Sequence, residues 1–272
     1  MTKTIVYKHE RVKLLKEAIK NGDISGLLFF DLETALMTVY THYIGNKVSI
    51  YHNQIKEDKK IITIQYMFEG DRGPQYLEWD WTGKTGGDDS SMIEEFITNI
   101  LNQPDIIVVG QNHKSFDHKV LNDRAKVLRL TPPEDVMKVD TLTLSRGAFR
   151  SASHKLDFRS KQLGLGGKNP MEFQDWVDIN NGDRKALKKM IKYGLKDVTD
   201  LRSIFWLELP YYETLPAKLN KILLDLKKSK AKVPPAMCMK CRRSRRPSKN
   251  IMKIKGVLTC KNCGLADHVE AI

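Results

Sequence analysis

Four large apolar residues, Leu27 to Phe30, run directly into Asp31, Leu32 and Glu33. Side chains alternate across a strand, so an unbroken apolar run needs cover on both faces of a sheet. Residues 26–34, GLLFFDLET, therefore predict a buried strand that ends in carboxylates. Asp31 and Glu33 are two residues apart and point to one face. Carboxylates beside such a run are unfavourable unless paired or metal-bound, and two at one strand end repel each other. Divalent cations remove that penalty, and hard oxygen ligands suit Mg²⁺ or Mn²⁺.

The rest of the chain supplies elements to surround that strand. Residues 8–20 predict an amphipathic helix ending near Asn21 and Gly22. Residues 48–55, 61–68 and 75–81 are β-rich and predict further strands. Ser91, with Glu94 three residues later, predicts a capping box opening a helix that runs to Pro104. Residues 105–110, DIIVVG, suit an inner strand. A helix over 116–130 is stopped by Pro132 and Pro133, and 136–144 predict the next strand. A long helix is expected over 183–208, before Pro210. No internal repeat is visible. The order predicts mixed α/β architecture around one central sheet flanked by helices. With 41% hydrophobic and 29% charged residues, a collagen-like, wholly disordered or coiled-coil chain is excluded. No apolar run approaches the roughly 18 residues of a membrane span. The charged start lacks a signal-peptide core, which predicts an intracellular chain without a membrane partner.

The net charge of +13 is uneven. From residue 221 onward there are 14 Lys/Arg against 3 Asp/Glu, so this last fifth carries +11 of the total. Such a tail suits a polyanion such as nucleic acid; the plainer alternative is a solvated tail that aids solubility. It also contains every cysteine. Cys238 and Cys241, then Cys260 and Cys263, form two C-x-x-C pairs with 18 residues between the inner cysteines. That spacing predicts a tetrahedral Cys₄ site for one structural Zn²⁺, with two redox pairs as the weaker alternative. Between the pairs, 249–260 predict two short strands across a Lys255-Gly256 turn. Arg242, Arg243, Arg245 and Arg246 offer guanidinium forks for phosphate oxygens. The expected organisation is an N-terminal helical extension over 1–24, a main α/β domain over 25–226, a linker over 227–235 and a zinc module over 236–272.

Two further segments complete an acidic set. Asp117 lies at the start of the helix after DIIVVG, and Asp197 shares a helix face with Tyr193. Each signal alone is weak: Asp117 could be a helix cap, and Tyr193 with Asp197 an ordinary helix pair. Together and in order they resemble a known family. FFDLET (29–34) looks like the first motif of the DEDD, or DnaQ-like, 3′–5′ exonucleases. GQNHKSFDHKVL (110–121) resembles the second motif of family B DNA polymerase proofreading domains, and YGLKDV (193–198) the third, in its tyrosine subtype. The histidine subtype would need His where Lys192 stands. SHKLDFRSKQLGLGGK (153–168) is similar to a segment that these domains carry between motifs two and three. Gly194 follows the tyrosine where polymerase versions often carry Cys.

The resemblance implies a ribonuclease H-like fold and two-metal hydrolysis of phosphodiesters by Asp31, Glu33, Asp117 and Asp197, holding Mg²⁺ or Mn²⁺, with Tyr193 orienting the water. It implies release of 5′-mononucleotides from a 3′ end. It places Asn112 and Phe116 near the terminal nucleotide, although Phe116 could instead pack beside Asp117, and adds Leu32 and Thr34 as substrate contacts. Asp140 is expected as a strand end or cap, Asp200 as a helix-surface charge, and His113 and His118 as surface histidines rather than metal ligands. No polymerase domain follows the third motif, which implies an exonuclease acting alone or with a separate polymerase or replication protein. The module resembles a zinc ribbon in cysteine spacing and is expected to grip nucleic acid or dock such a partner. DNA is the first expectation for the substrate. The alternatives are an exoribonuclease, a structure-specific endonuclease and a non-catalytic nucleic-acid-binding adaptor.

Overall fold

The structure is a computed structural model; it describes residues 9–42, 45, 48–81, 87–166, 170–231, 236–238, 251–254, 257–260 and 269–271, with side chains up to residue 229. The chain divides into two compact units, Met1–Asn220 and Lys221–Ile272. The first is a mixed sheet flanked by helices. Its elements are α1 (Glu10–Asn21), β1 (Gly26–Thr34), β2 (Thr38–Val39), β3 (Ile55–Glu57), β4 (Ile61–Phe68), β5 (Gln75–Glu78), β6 (Asp80–Trp81), β7 (Gly87–Asp88), α2 (Ser90–Glu95), β8 (Ile106–Gly110), α3 (Asp117–Leu128), β9 (Met137–Asp140), α4 (Thr141–Ala148), α5 (Leu156–Gln162), α6 (Phe173–Asn180) and α7 (Arg184–Glu208). Helix α8 (Ala217–Ala231) spans the boundary.

The sheet has the order β5-β4-β1-β8-β9, with β1 at its centre. β1 is antiparallel to β4 and parallel to β8, and β8 is parallel to β9. Leu27, Leu28, Phe29 and Phe30 are all buried, as the apolar run demands. Alternation sends them to opposite faces. Phe29 meets Phe205 of α7 edge-on at 5.7 Å between ring centroids. Phe30 meets Phe96 on the other side at 5.4 Å. The face shared by Phe29, Asp31 and Glu33 is thus the face that α7 covers. α1 joins the same unit: Val12 and Leu15 are fully buried, and Arg11 donates to the Leu209 and Tyr212 carbonyls.

Several local expectations need correction. Residues 48–55 are not a strand: a 3₁₀ turn at His52–Gln54 precedes the short β3. The helix expected from Ser91 opens at Ser90, without the Ser91 capping box. Ser91 Oγ instead donates to Asp80 Oδ2 at 2.7 Å. That helix continues as a π-helical stretch over Phe96–Leu101. β9 stops at Asp140, because this carboxylate accepts from the Leu142 and Thr143 N–H groups and turns 141–148 into α4. α6 was not anticipated. Residues 227–231, expected as linker, continue α8.

In the second unit, β10 (Ala236–Cys238) pairs antiparallel with β13 (Val269–Ala271). β11 (Ile251–Ile254) pairs antiparallel with β12 (Val257–Cys260). Cys241, Cys263, Arg242, Arg243, Arg245, Arg246, Lys255 and Gly256 lie outside the described residues. No helix among the described residues is long and apolar enough to cross a membrane.

Candidate metal centre

The candidate site lies where β1 runs past the end of β8. The β1–β8 ladder extends only to Phe29 opposite Val109, and β8 then ends at Gly110. Further along β1 the Leu32 N–H donates instead to Asp117 Oδ1 at 3.2 Å. This bond ties the start of α3 to β1. A register shift between Glu33 and Thr34 marks the end of the regular strand, the kind of irregularity often found beside active sites.

α7 supplies the other side. From Phe29 to Glu33 the strand advances about 13 Å, at roughly 3.3 Å per residue. From Phe205 back to Asp197 the helix covers about 12 Å, at 1.5 Å per residue. The Phe29–Phe205 contact therefore sets the level at which Asp197 meets Asp31 and Glu33. One carboxylate oxygen from each of Asp31, Glu33 and Asp197 lies within 4.8 Å of the other two. Gly194 permits the close approach: a Cβ there would sit 2.4 Å from the Gln65 side-chain carbon Cδ. Gln65 is fully buried on β4 and donates to Thr63 Oγ1 at 2.6 Å.

The electrostatics follow from this crowding. Asp117 is buried, and burial with the nearby Asp31 charge pushes its carboxyl well above the usual range, against the pull of the Leu32 N–H. Burial also pushes the Tyr193 hydroxyl up to about 12, helped by Glu33, Asp31 and Asp157. Tyr193 thus keeps its proton at neutral pH. Clustered carboxylates of this kind are what a hard divalent cation stabilises, and all the donors are oxygen. Asp31, Glu33 and Asp197 fit such an ion; Asp117 stands beside them with one oxygen already engaged.

Other candidates are placed as follows. Asn112 is exposed in a left-handed conformation (φ 62°), with its N–H donating to Asp140 Oδ1 at 3.1 Å. Asp140 also accepts from the Lys114 N–H, so it both caps α4 and braces the loop before Asp117. Phe116 is 40% exposed rather than packed in the core. Leu32 is buried and Thr34 half-buried. His113 and His118 are not surface histidines. They are buried 5.0 Å apart, with rings 5.9 and 5.4 Å from Phe30, and desolvation pushes both down to about 3. Asp200 is also buried, accepting from Ser160 Oγ at 2.6 Å and from Lys196. Sequence reasoning missed Gln65, Asp157 and the Leu32 N–H. Asp157 carried a visible signal, an acid inside the quoted 153–168 segment; the other two did not.

No protein-family model matches the chain, and no curated protein does. Solved structures that match include the family B DNA polymerase of the hyperthermophilic archaeon Pyrobaculum calidifontis, at 16% identity and a TM-score of 0.49. The match covers 73% of this chain and 27% of that one, so this chain corresponds to about a quarter of the polymerase's length.

Proposed function

We propose that the protein is a metal-dependent 3′–5′ exonuclease acting on nucleic acid, with DNA as the first substrate to test. One observation carries the proposal: the Asp31, Glu33 and Asp197 oxygens converge within 4.8 Å, beside Tyr193 and Asp117. The order and spacing of the three motifs add the exonuclease class and the 3′ polarity.

Asp31, Glu33 and Asp197, backed by Asp117, would hold two Mg²⁺ or Mn²⁺ ions. Bound there, the ions would supply an activated water and neutralise charge at the phosphate and the departing oxygen. The protein's own groups set the geometry. Tyr193, held protonated, orients the water and is no general base at neutral pH. Asn112, presented by its bond to Asp140, and the exposed Phe116 ring receive the terminal nucleotide, with Leu32 and Thr34 lining the strand end.

The C-terminal unit is proposed as a zinc module, with Cys238, Cys241, Cys260 and Cys263 holding one Zn²⁺ and Arg242, Arg243, Arg245 and Arg246 contacting phosphates. A module of about 35 residues buries too little core to stand without its metal.

The test is end-labelled DNA and RNA, single- and double-stranded, incubated with Mn²⁺, Mg²⁺ or EDTA. A metal-dependent ladder shortening from the 3′ end, absent in Asp31→Ala, is expected. Trimming undiminished in Asp31→Ala removes the metal assignment. An RNA-only ladder makes the enzyme an exoribonuclease, internal cuts make it an endonuclease, and binding without cutting leaves the adaptor.

A further inference from the structure

Between β1 and β4 the chain leaves the sheet for 26 residues, 35–60, at the end where Asp31 and Glu33 lie. This extension has its own scaffold. β2 pairs with β3, and the Tyr40 N–H donates to the Gln54 carbonyl at 2.8 Å. The Tyr51 N–H donates to Gln54 Oε1 at 2.7 Å. Its base is tied to the body of the unit by Asn180 Nδ2 donating to the Leu36 carbonyl at 3.2 Å.

The scaffold presents aromatic rings to solvent. Tyr40 and Tyr51 are each 66% exposed. With the exposed His42 and His52 they line a cleft of about 710 Å³, completed by Thr41, Asn53 and Gln54. None of the described lining side chains is acidic. Lys56 Nζ stands 5.9 Å from the Tyr40 ring centroid. A single surface tyrosine needs no explanation. Two tyrosines and two imidazoles around one cleft, with a lysine alongside, match the chemistry of single-strand recognition: flat faces for bases and positive charge for phosphates.

We propose that this cleft is a base-stacking site for the unpaired part of a nucleic-acid strand whose end lies at the carboxylates. From Thr34 to Tyr40 the chain spans at most about 20 Å, at roughly 3.3 Å per residue. At about 3.4 Å per stacked nucleotide, at most roughly six nucleotides bridge that span. Stacking holds any base, so the site gives affinity without reading sequence. This deepens the nuclease reading and rests on it for which part of the strand occupies the cleft.

The experiment separates the two. The full chain is titrated without added Mg²⁺ or Mn²⁺ and without chelator, so that cutting is off and the proposed zinc site stays loaded, with a labelled single strand of about 16 nucleotides and with an abasic strand of equal length. Tyr51→Ala is expected to bind the base-bearing strand about fivefold or more weakly, with abasic binding unchanged. Tyr51→Phe, which keeps the ring, is expected to bind as the wild type does. Equal affinity of wild type and Tyr51→Ala overturns the proposal, as does a loss shared equally by the abasic strand or by Tyr51→Phe. If Tyr51 matters but the wild type never trims in Mn²⁺, the cleft stands and the nuclease reading falls. If trimming proceeds and Tyr51 is silent, the reverse holds.

Discussion

Gly194→Ala tests how the site is built, because two effects of opposite sign meet there. In an exposed helix interior the change would stabilise by about 1 kcal/mol. Here the new methyl carbon would come 2.4 Å from Gln65 Cδ and 2.6 Å from Gln65 Oε1. Gln65 is fully buried and bonded to Thr63, so it has little room to retreat. Overpacking of this kind costs about 1–3 kcal/mol. The net expectation is destabilisation of up to about 2 kcal/mol by urea denaturation. The clash also pushes α7 off β4, moving Tyr193 and Asp197 relative to Asp31 and Glu33. Metal-dependent cleavage should therefore fall, by up to about 100-fold for a displacement of about 1 Å. Gln65→Ala in the same chain should restore much of both. If Gly194→Ala gains the full propensity increment and cuts normally, close approach of α7 does not position the site.

Tyr193→Phe should lower cleavage at least tenfold with little change in stability. The wild-type rate profile should show no tyrosine titration near neutral pH, since burial, the largest cause of the raised Tyr193 hydroxyl, does not depend on the ions; a break near neutral pH that vanishes in Tyr193→Phe would contradict the orienting role. Arg159→Met should destabilise by about 3–5 kcal/mol in thermal or urea unfolding, because the buried Glu208 loses the guanidinium bonds at 3.1 and 2.5 Å. Glu69 is partly buried, which opposes ionisation, yet Arg202 and Trp206 hold its carboxyl below the ordinary 4.5. Its stabilisation is complete above that value and is lost as pH falls through the lower folded one. Glu69→Gln should therefore flatten the acid limb of stability, and unchanged acid sensitivity would contradict this. Elemental analysis should find one zinc per chain, lost in Cys260→Ser.

What could be read from the chain follows the range of the forces involved. β1, β4 and β8 were legible because apolar runs are buried on both faces wherever they occur. α7 was legible from its periodicity and from Asp183, which accepts from the Lys185 and Ala186 N–H groups. Residues 48–55 misled because β-rich composition does not make a strand without a neighbour to pair with. Residues 141–144 alternate like a strand, but Asp140 caps a helix there. The Asp89 carboxylate is taken by Arg124 and the Ile61 N–H, which is why no cap forms from it. The site was legible as residue types at spacings; the distances were not. The burial of His113, His118 and Asp200 depends on Phe30, Ser160 and Lys196, partners that no local pattern reveals.

The most direct measurement is Mn²⁺ binding to the full chain, read by electron paramagnetic resonance, for the wild type and for the near-isosteric Asp31→Asn and Asp197→Asn. Both variants should keep the wild-type fold and lose Mn²⁺ affinity by at least about tenfold, since each removes one charged ligand from the cluster. Wild-type affinity in both would mean that the converging carboxylates hold no catalytic ion.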